Sequence, residues 1–134
     1  MPAGLPDGCA VDTVATDRIE RLLAATPAEA AKGAEYVFCC VGNDEDLRSV
    51  TTAKNGAFET VGKGAVFVDN TTASANVARD LYAAAKEKGF GFIDAPVSGG
   101  QAGAQNGVLT VMCGGDKDVF DKAQPVISAF ARAV

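Results

Sequence analysis

The residues best suited by type and spacing to do chemistry form one run, Asp94-Ala95-Pro96-Val97-Ser98-Gly99-Gly100. Ser98 offers a hydroxyl, and Gly99 and Gly100 can expose backbone N–H groups with no side chain in the way. Pro96 fixes the angle at which the run approaches. A hydroxyl beside open N–H donors suits the carboxylate and hydroxyl of a small hydroxy acid. Composition alone leaves a second option open: a Gly-rich run can be no more than a tight surface turn. Asp94 can brace the loop. No second carboxylate is obviously paired with it, so acid–base work by Asp94 is not expected. Gly103, Gly107, Gly114 and Gly115 are expected to serve turns and a strand-to-helix corner.

Such a run needs strands to carry it. Thr26-Pro27-Ala28-Glu29 is a capping box with proline at the first helical position, opening a short helix that Gly33 ends. Tyr36 to Val41 is a continuous apolar run of strand formers, the pattern of a strand buried on both faces. Gly42-Asn43-Asp44 breaks it, and Asp44 to Lys54 reads as a helix with acids in its first turn. Ala65 to Val68 is the next buried strand, ending at the polar cluster Asp69-Asn70-Thr71-Thr72. Ser74 caps a helix from Ala75 to Lys88, with Val77, Leu81, Ala84 and Ala85 inward and Gly89 as its stop. Phe90 to Ile93 is a third strand, Asp94 to Gly107 a long Gly-rich loop, and Val108 to Cys113 a fourth strand. Gly114-Gly115-Asp116 leads into a last helix, Lys117 to Arg132, with Val119, Phe120, Ala123, Ile127 and Phe130 inward. Residues 1–25 are poorly patterned, although Thr13 to Ala25 could form a short helix around Ile19, Leu22 and Leu23. The patterned domain is 26–134.

Strands alternating with helices imply right-handed crossovers and an open α/β sheet. No helix separates the third and fourth strands, so the sheet is expected to be mainly parallel with an antiparallel last strand. Ligands of such sheets lie beyond the carboxyl ends of the strands. Three polar loops leave those ends: Gly42–Asp46, Asp69–Ser74 and Asp94–Gly107.

With 134 residues, 48% of them apolar, the chain can bury one core. Its formal charge of −5, with acids and bases interspersed, argues against nucleic-acid or anionic-membrane partners. No apolar run approaches the roughly 20 residues needed to cross a bilayer, and Met1 to Asp17 has no secretory pattern. There is no histidine and no C-x-x-C pair, so no metal site is expected. Cys9, Cys39, Cys40 and Cys113 read as small buried hydrophobes in a reducing cytoplasm.

Phe92 to Asp116 (FIDAPVSGGQAGAQNGVLTVMCGGD) closely resembles the substrate-binding segment of the β-hydroxyacid dehydrogenases: D-A-P-V-S-G-G, then G-A, then G-x-L-T and a closing G-G. The likeness extends upstream through Thr26-Pro27, the strand at Tyr36, the loop Val41–Asp46 and the Asp69–Thr72 turn. Its closest flavour is the 3-hydroxyisobutyrate dehydrogenase or short-chain semialdehyde reductase branch. The resemblance implies an incomplete Rossmann-like domain of an oxidoreductase that passes a hydride between NAD or NADP and a small 3-hydroxy acid or semialdehyde. By the same resemblance, Ser98, Gly99 and Gly100 bind the substrate, and Val41, Gly42, Asp46 and Thr72 face the cofactor. Relatives often carry Leu-Pro at Val41-Gly42 and Asn at Asp46. Backbone contacts survive the first change, whereas an anionic Asp46 is unfavourable near a phosphate. Thr71 and Thr72 could otherwise be simple turn residues.

Two parts of the family pattern are not found. No strand followed by G-x-G-x-x-G opens a helix here. The family's proton-transferring lysine, in a G-x-x-x-K setting, is expected beyond Val134, and none of Lys32, Lys54, Lys63, Lys86, Lys88, Lys117 and Lys122 has that context. The expectation is therefore a truncated chain, inactive alone, with an open sheet edge through which it could form a homo-oligomer. The competing reading is a non-catalytic module that binds a small carboxylate or a partner.

Overall fold

A computed structural model describes residues 24–134. Cys9 lies outside them, as does the helix expected at Thr13–Ala25 except for its last two residues, which are not helical. Helix α1 (Pro27–Ala31) begins as its sequence dictates. Thr26 Oγ1 accepts from Glu29 N at 3.1 Å, and the Glu29 carboxylate turns back to accept from Ala25 N at 3.0 Å.

Strands β1 (Tyr36–Cys39), β2 (Val66–Asp69) and β3 (Gly91–Asp94) form a parallel sheet in that order. The register aligns Tyr36, Val66 and Gly91 at one end, and Cys39, Asp69 and Asp94 at the other. Helices α2 (Asp44–Thr51) and α3 (Ala75–Lys88) cover one face. There Phe67 and Phe92 meet Leu47, Val77 and Leu81, and Phe58 enters from a turn of 3-10 helix at Ala57–Glu59. Phe58 stands edge-on to Phe67 and Phe90, with centroids 5.1 and 4.9 Å apart. Such pairs add about 0.5–1.5 kcal/mol beyond burial. On the other face Val66, Val68 and Ile93 pack beneath α5 (Lys117–Ile127) through Ala123 and Ile127. The expected Rossmann-like, mainly parallel α/β fold is what the chain forms.

A second sheet grows out of the first. Past Ala95-Pro96 the chain continues as β4 (Val97–Ser98), which pairs antiparallel with β5 (Leu109–Val111). Met112 N donates to Pro96 O at 2.9 Å, and Asp94 and Gly114 exchange both backbone bonds at 2.7 and 2.9 Å. The β3–β4 segment and the 109–114 segment are thus one bent antiparallel ribbon. Gly115 closes it against β3, where a Cβ would lie 2.8 Å from Ile93 Cδ1 and 2.9 Å from Phe92 O.

Four expectations need correction. Asp94–Gly107 is not all loop: it contains β4 and helix α4 (Gly100–Gln105). The last helix stops at Ile127, not Arg132, and Ala131–Ala133 forms β6, parallel to β5. Pro125 removes an N–H from the helix, and the free edge of β5 offers the segment ladder bonds instead. The antiparallel strand is therefore not the last. Third, β1 ends at Cys39 and is not buried on both faces. It is an edge of its sheet among the described residues, α5 packs on β2 and β3, and Phe38 is 40% exposed with Phe130 edge-on at 5.8 Å. Along that edge lies an apolar groove of about 450 Å³ lined by Ala31, Val37, Cys39, Val41 and Val50. Fourth, the cysteines are not uniformly buried. Cys39 and Cys113 are half-buried and Cys40 is exposed, because the first two pack against the two core clusters and Cys40 lies just past the end of an edge strand.

Candidate functional site

The three loops leaving the carboxyl rim are tied to one another. The ladder runs past the strand ends, with Asn70 N donating to Cys39 O and Ala95 N to Asp69 O, both at 2.7 Å. Val41 N donates to the buried Thr71 Oγ1 at 3.1 Å, and Asn70 Nδ2 donates to Ala95 O at 2.8 Å. Thr71 thus joins the first loop to the second, and Asn70 the second to the third. Both are positioning residues that sequence reasoning did not assign. The available signal was a run of four polar residues ending an apolar strand.

The starts of α2 and α3 are coupled in the same way. Asn43 caps α2 by accepting from Asp46 N at 2.9 Å, and Ser74 caps α3 by accepting from Val77 N at 3.2 Å. Asp44 accepts from Ser74 N at 2.8 Å and from the Ser74 hydroxyl, and these donors hold its carboxyl below the usual range.

Asp94 is not alone. Asp69, its register partner on β2, is 1% exposed. Asp69 Oδ1 accepts from Thr71 N at 2.9 Å, and among the described residues Oδ2 has no partner. Burial pushes the Asp69 carboxyl up, and pushes Asp94 up with help from the charge of Asp69. The expectation that Asp94 lacks a paired carboxylate is overturned, because strand register sets acids side by side that are 25 positions apart in sequence. Burial, followed by the charge of Asp69, also pushes the Cys39 thiol up to about 12, which disfavours the thiolate.

Of the expected cofactor residues, Val41, Gly42 and Asp46 share one loop and the helix start beside it. The Asp46 carboxylate lies over Gly42, 3.0 Å from where a Cβ would stand. Thr72 is exposed and follows the Thr71 that grips Val41. Gly42 and Asp46 are thus in contact, and Thr72 lies on the neighbouring loop that Thr71 ties to Val41. The expected substrate residues form a separate group on the ribbon. Val97 and Val111 turn into the core beneath α5, so strand alternation turns Ser98 outward, and it is exposed. Gly99 has φ +133° and Gly100 φ +62°, backbone that favours glycine. A Cβ on Gly99 would also sit 3.1 Å from Leu109 Cδ2. Three of the lysines are engaged elsewhere: Lys86 Nζ donates to Tyr82 at 2.9 Å, Lys117 pairs with Asp121, and Lys122 Nζ reaches Gly64 O.

Comparison with known proteins gives the family and the fold. Residues 9–134 match the model of the NAD binding domain of 6-phosphogluconate dehydrogenase. An uncharacterized oxidoreductase of Shewanella frigidimarina is 55% identical over 107 residues, covering 80% of this chain and 37% of the relative. Among solved structures, Psf3 in complex with NADP+ and 2-OPP superposes with a TM-score of 0.78 at 27% identity, covering 83% of this chain and 39% of that one. A 3-hydroxyisobutyrate dehydrogenase from Salmonella typhimurium superposes with a TM-score of 0.75 at 30% identity, covering 82% and 38%. The chain thus spans well under half the length of these relatives. On the match of nearly its whole length, the chain belongs to the family of the NAD binding domain of 6-phosphogluconate dehydrogenase.

Proposed function

We propose that this chain is part of an NAD(P)-dependent oxidoreductase of the 3-hydroxyisobutyrate dehydrogenase type, and that it seats a small 3-hydroxy acid or its semialdehyde at Ser98, Gly99 and Gly100. The observation that carries the reading is the outward Ser98 hydroxyl beside two consecutive glycines of positive φ, at the end of a ribbon rooted in the carboxyl rim. Ser98 would donate to or accept from the substrate's carboxylate or hydroxyl, and the two glycines would leave their N–H groups open.

Val41, Gly42, Asp46 and Thr72 fit the nicotinamide and ribose end of the cofactor. They offer backbone groups, a free hydroxyl and an acid, and an oxidised nicotinamide ring is cationic. They do not fit the diphosphate, since Asp44, Glu45 and Asp46 together would repel it. When bound, the nicotinamide supplies or takes the hydride. The chain's own part is to orient the acid and to keep the loops rigid through Thr71 and Asn70.

Titrating the chain with 3-hydroxypropanoate by calorimetry tests the reading. Binding that Ser98→Ala abolishes supports it, and binding indifferent to that change sinks it. A second reading is a module that binds a carboxylate without turning it over; Lys86, Lys117 and Lys122 make their contacts with Tyr82, Asp121 and Gly64 O and not with Ser98. Turnover of a semialdehyde panel with NADH or NADPH separates the two. We further infer that the edge of β1, open among the described residues, pairs with a second copy, measurable by sedimentation at increasing concentration. A cytoplasmic setting suits the free thiols of Cys39, Cys40 and Cys113.

A further inference from the structure

Thr110 has no role in the reading above, yet it is the register partner of Ser98. Met112 N bonds to Pro96 O, so bonded pairs fall at Pro96–Met112 and, two residues on, at Ser98–Thr110. A bonded antiparallel pair has Cα atoms about 5.5 Å apart and projects both side chains to the same side. Both residues are exposed, and among the described residues neither hydroxyl has a hydrogen-bond partner. Two hydroxyls at this spacing can both reach the polar groups of one small anion.

A second observation concerns the same face. Val108, Thr110 and Met112 alternate outward along this strand, while Leu109 and Val111 are buried. Val108 is 39% exposed and Met112 51%, two of the four large hydrophobics left open among the described residues. A strand face that meets water is usually polar. Here a hydroxyl lies between two apolar side chains, as suits a surface covered during use by a ligand with both apolar and polar parts.

We propose that Thr110 is a second substrate-positioning residue, its hydroxyl acting with that of Ser98 on the same hydroxy acid. The inference rests on the assignment of Ser98, Gly99 and Gly100 as the substrate seat. Ser98 and Thr110 belong to opposite strands of the ribbon, so the anion would bridge β4 and β5 and fix the ribbon's width. Val108 and Met112 would shield the two bonds from water and so strengthen them.

The test is a titration of the 15N-labelled chain with 3-hydroxypropanoate, followed by amide chemical shifts, on wild type, Ser98→Ala, Thr110→Val and Thr110→Ser. Valine keeps the shape of threonine and its preference for strands. A lost hydrogen bond to a charged group predicts binding about tenfold or more weaker in Thr110→Val. Thr110→Ser should stay within about threefold of wild type, although serine is the poorer strand former. A role in strand packing alone would reverse that order, with serine the more damaging change. If Ser98→Ala abolishes binding and Thr110→Val binds as wild type does, the Thr110 assignment falls and the seat stands. If wild type does not bind, or Ser98→Ala binds equally well, the seat falls and the inference with it.

Discussion

The parallel sheet and the bent ribbon divide the molecule's tasks. All four residues of β2 are buried, with packed helices on both faces. On β4, Val97 is half-buried and Ser98 exposed, and β4 pairs with three-residue β5 alone. Buried apolar area is what stabilises a fold, so the sheet holds the chain together. The ribbon carries the exposed hydroxyls and the positive-φ glycines. Substitutions in the sheet should therefore read out as global stability, and substitutions on the ribbon as local order or ligand binding.

The largest effect expected is from Phe67→Ala, which removes a ring packed against Phe58 and Phe92. It should cost about 3–5 kcal/mol in urea unfolding. A loss below 1 kcal/mol would show that the sheet is not the stabilising half. Next comes Gly99→Ala, where both the positive φ and the approach to Leu109 resist a Cβ. A local cost of about 1–3 kcal/mol is expected. It should appear as faster amide exchange across residues 97–111, with the urea midpoint moving less.

A smaller and pH-dependent effect is expected from Asp69→Asn. Burial holds the folded-state pKa of Asp69 above its unfolded value, so the folded state prefers the proton. The favourable contribution is full below the ordinary carboxyl range and is lost as pH rises through the folded pKa. The stability of Asp69→Asn relative to wild type should therefore grow from pH 4 to pH 7. A difference that shrinks over that range would reverse the sign assigned here. The smallest change in stability is expected from Ser98→Ala, within about 0.5 kcal/mol of wild type by thermal melting, as for an exposed residue. A larger loss would make Ser98 part of the scaffold and blur the division of tasks.

The sheet was also the more legible half. Helix α3 could be read to both ends, because Ser74 and Gly89 act locally: one accepts an amide hydrogen bond and the other takes up φ +85°. The expected burial of β1 failed because burial depends on neighbours that a run of apolar letters cannot specify. Helix α4 was invisible because Gly100, Gly103 and two glutamines give it little helical preference or apolar period. Strand β6 was missed for a related reason, since Ala-Arg-Ala has no strand signature. Ser98 and Thr72 could be picked out of the sequence by their motifs, and both are exposed, but register-dependent facts were out of reach. The Asp69–Asp94 and Ser98–Thr110 pairs exist only once strands are aligned.

The reciprocal bridge between Asp94 and Gly114 fastens the ribbon at its root without help from the covalent connection at its tip. Cutting the backbone within α4 should therefore leave two pieces that stay associated. That connection should tolerate a protease nick, a split-reporter junction or an inserted peptide. The geometry of Gly99 and Gly100 and the packing of Gly103 on Leu109 would then be at risk.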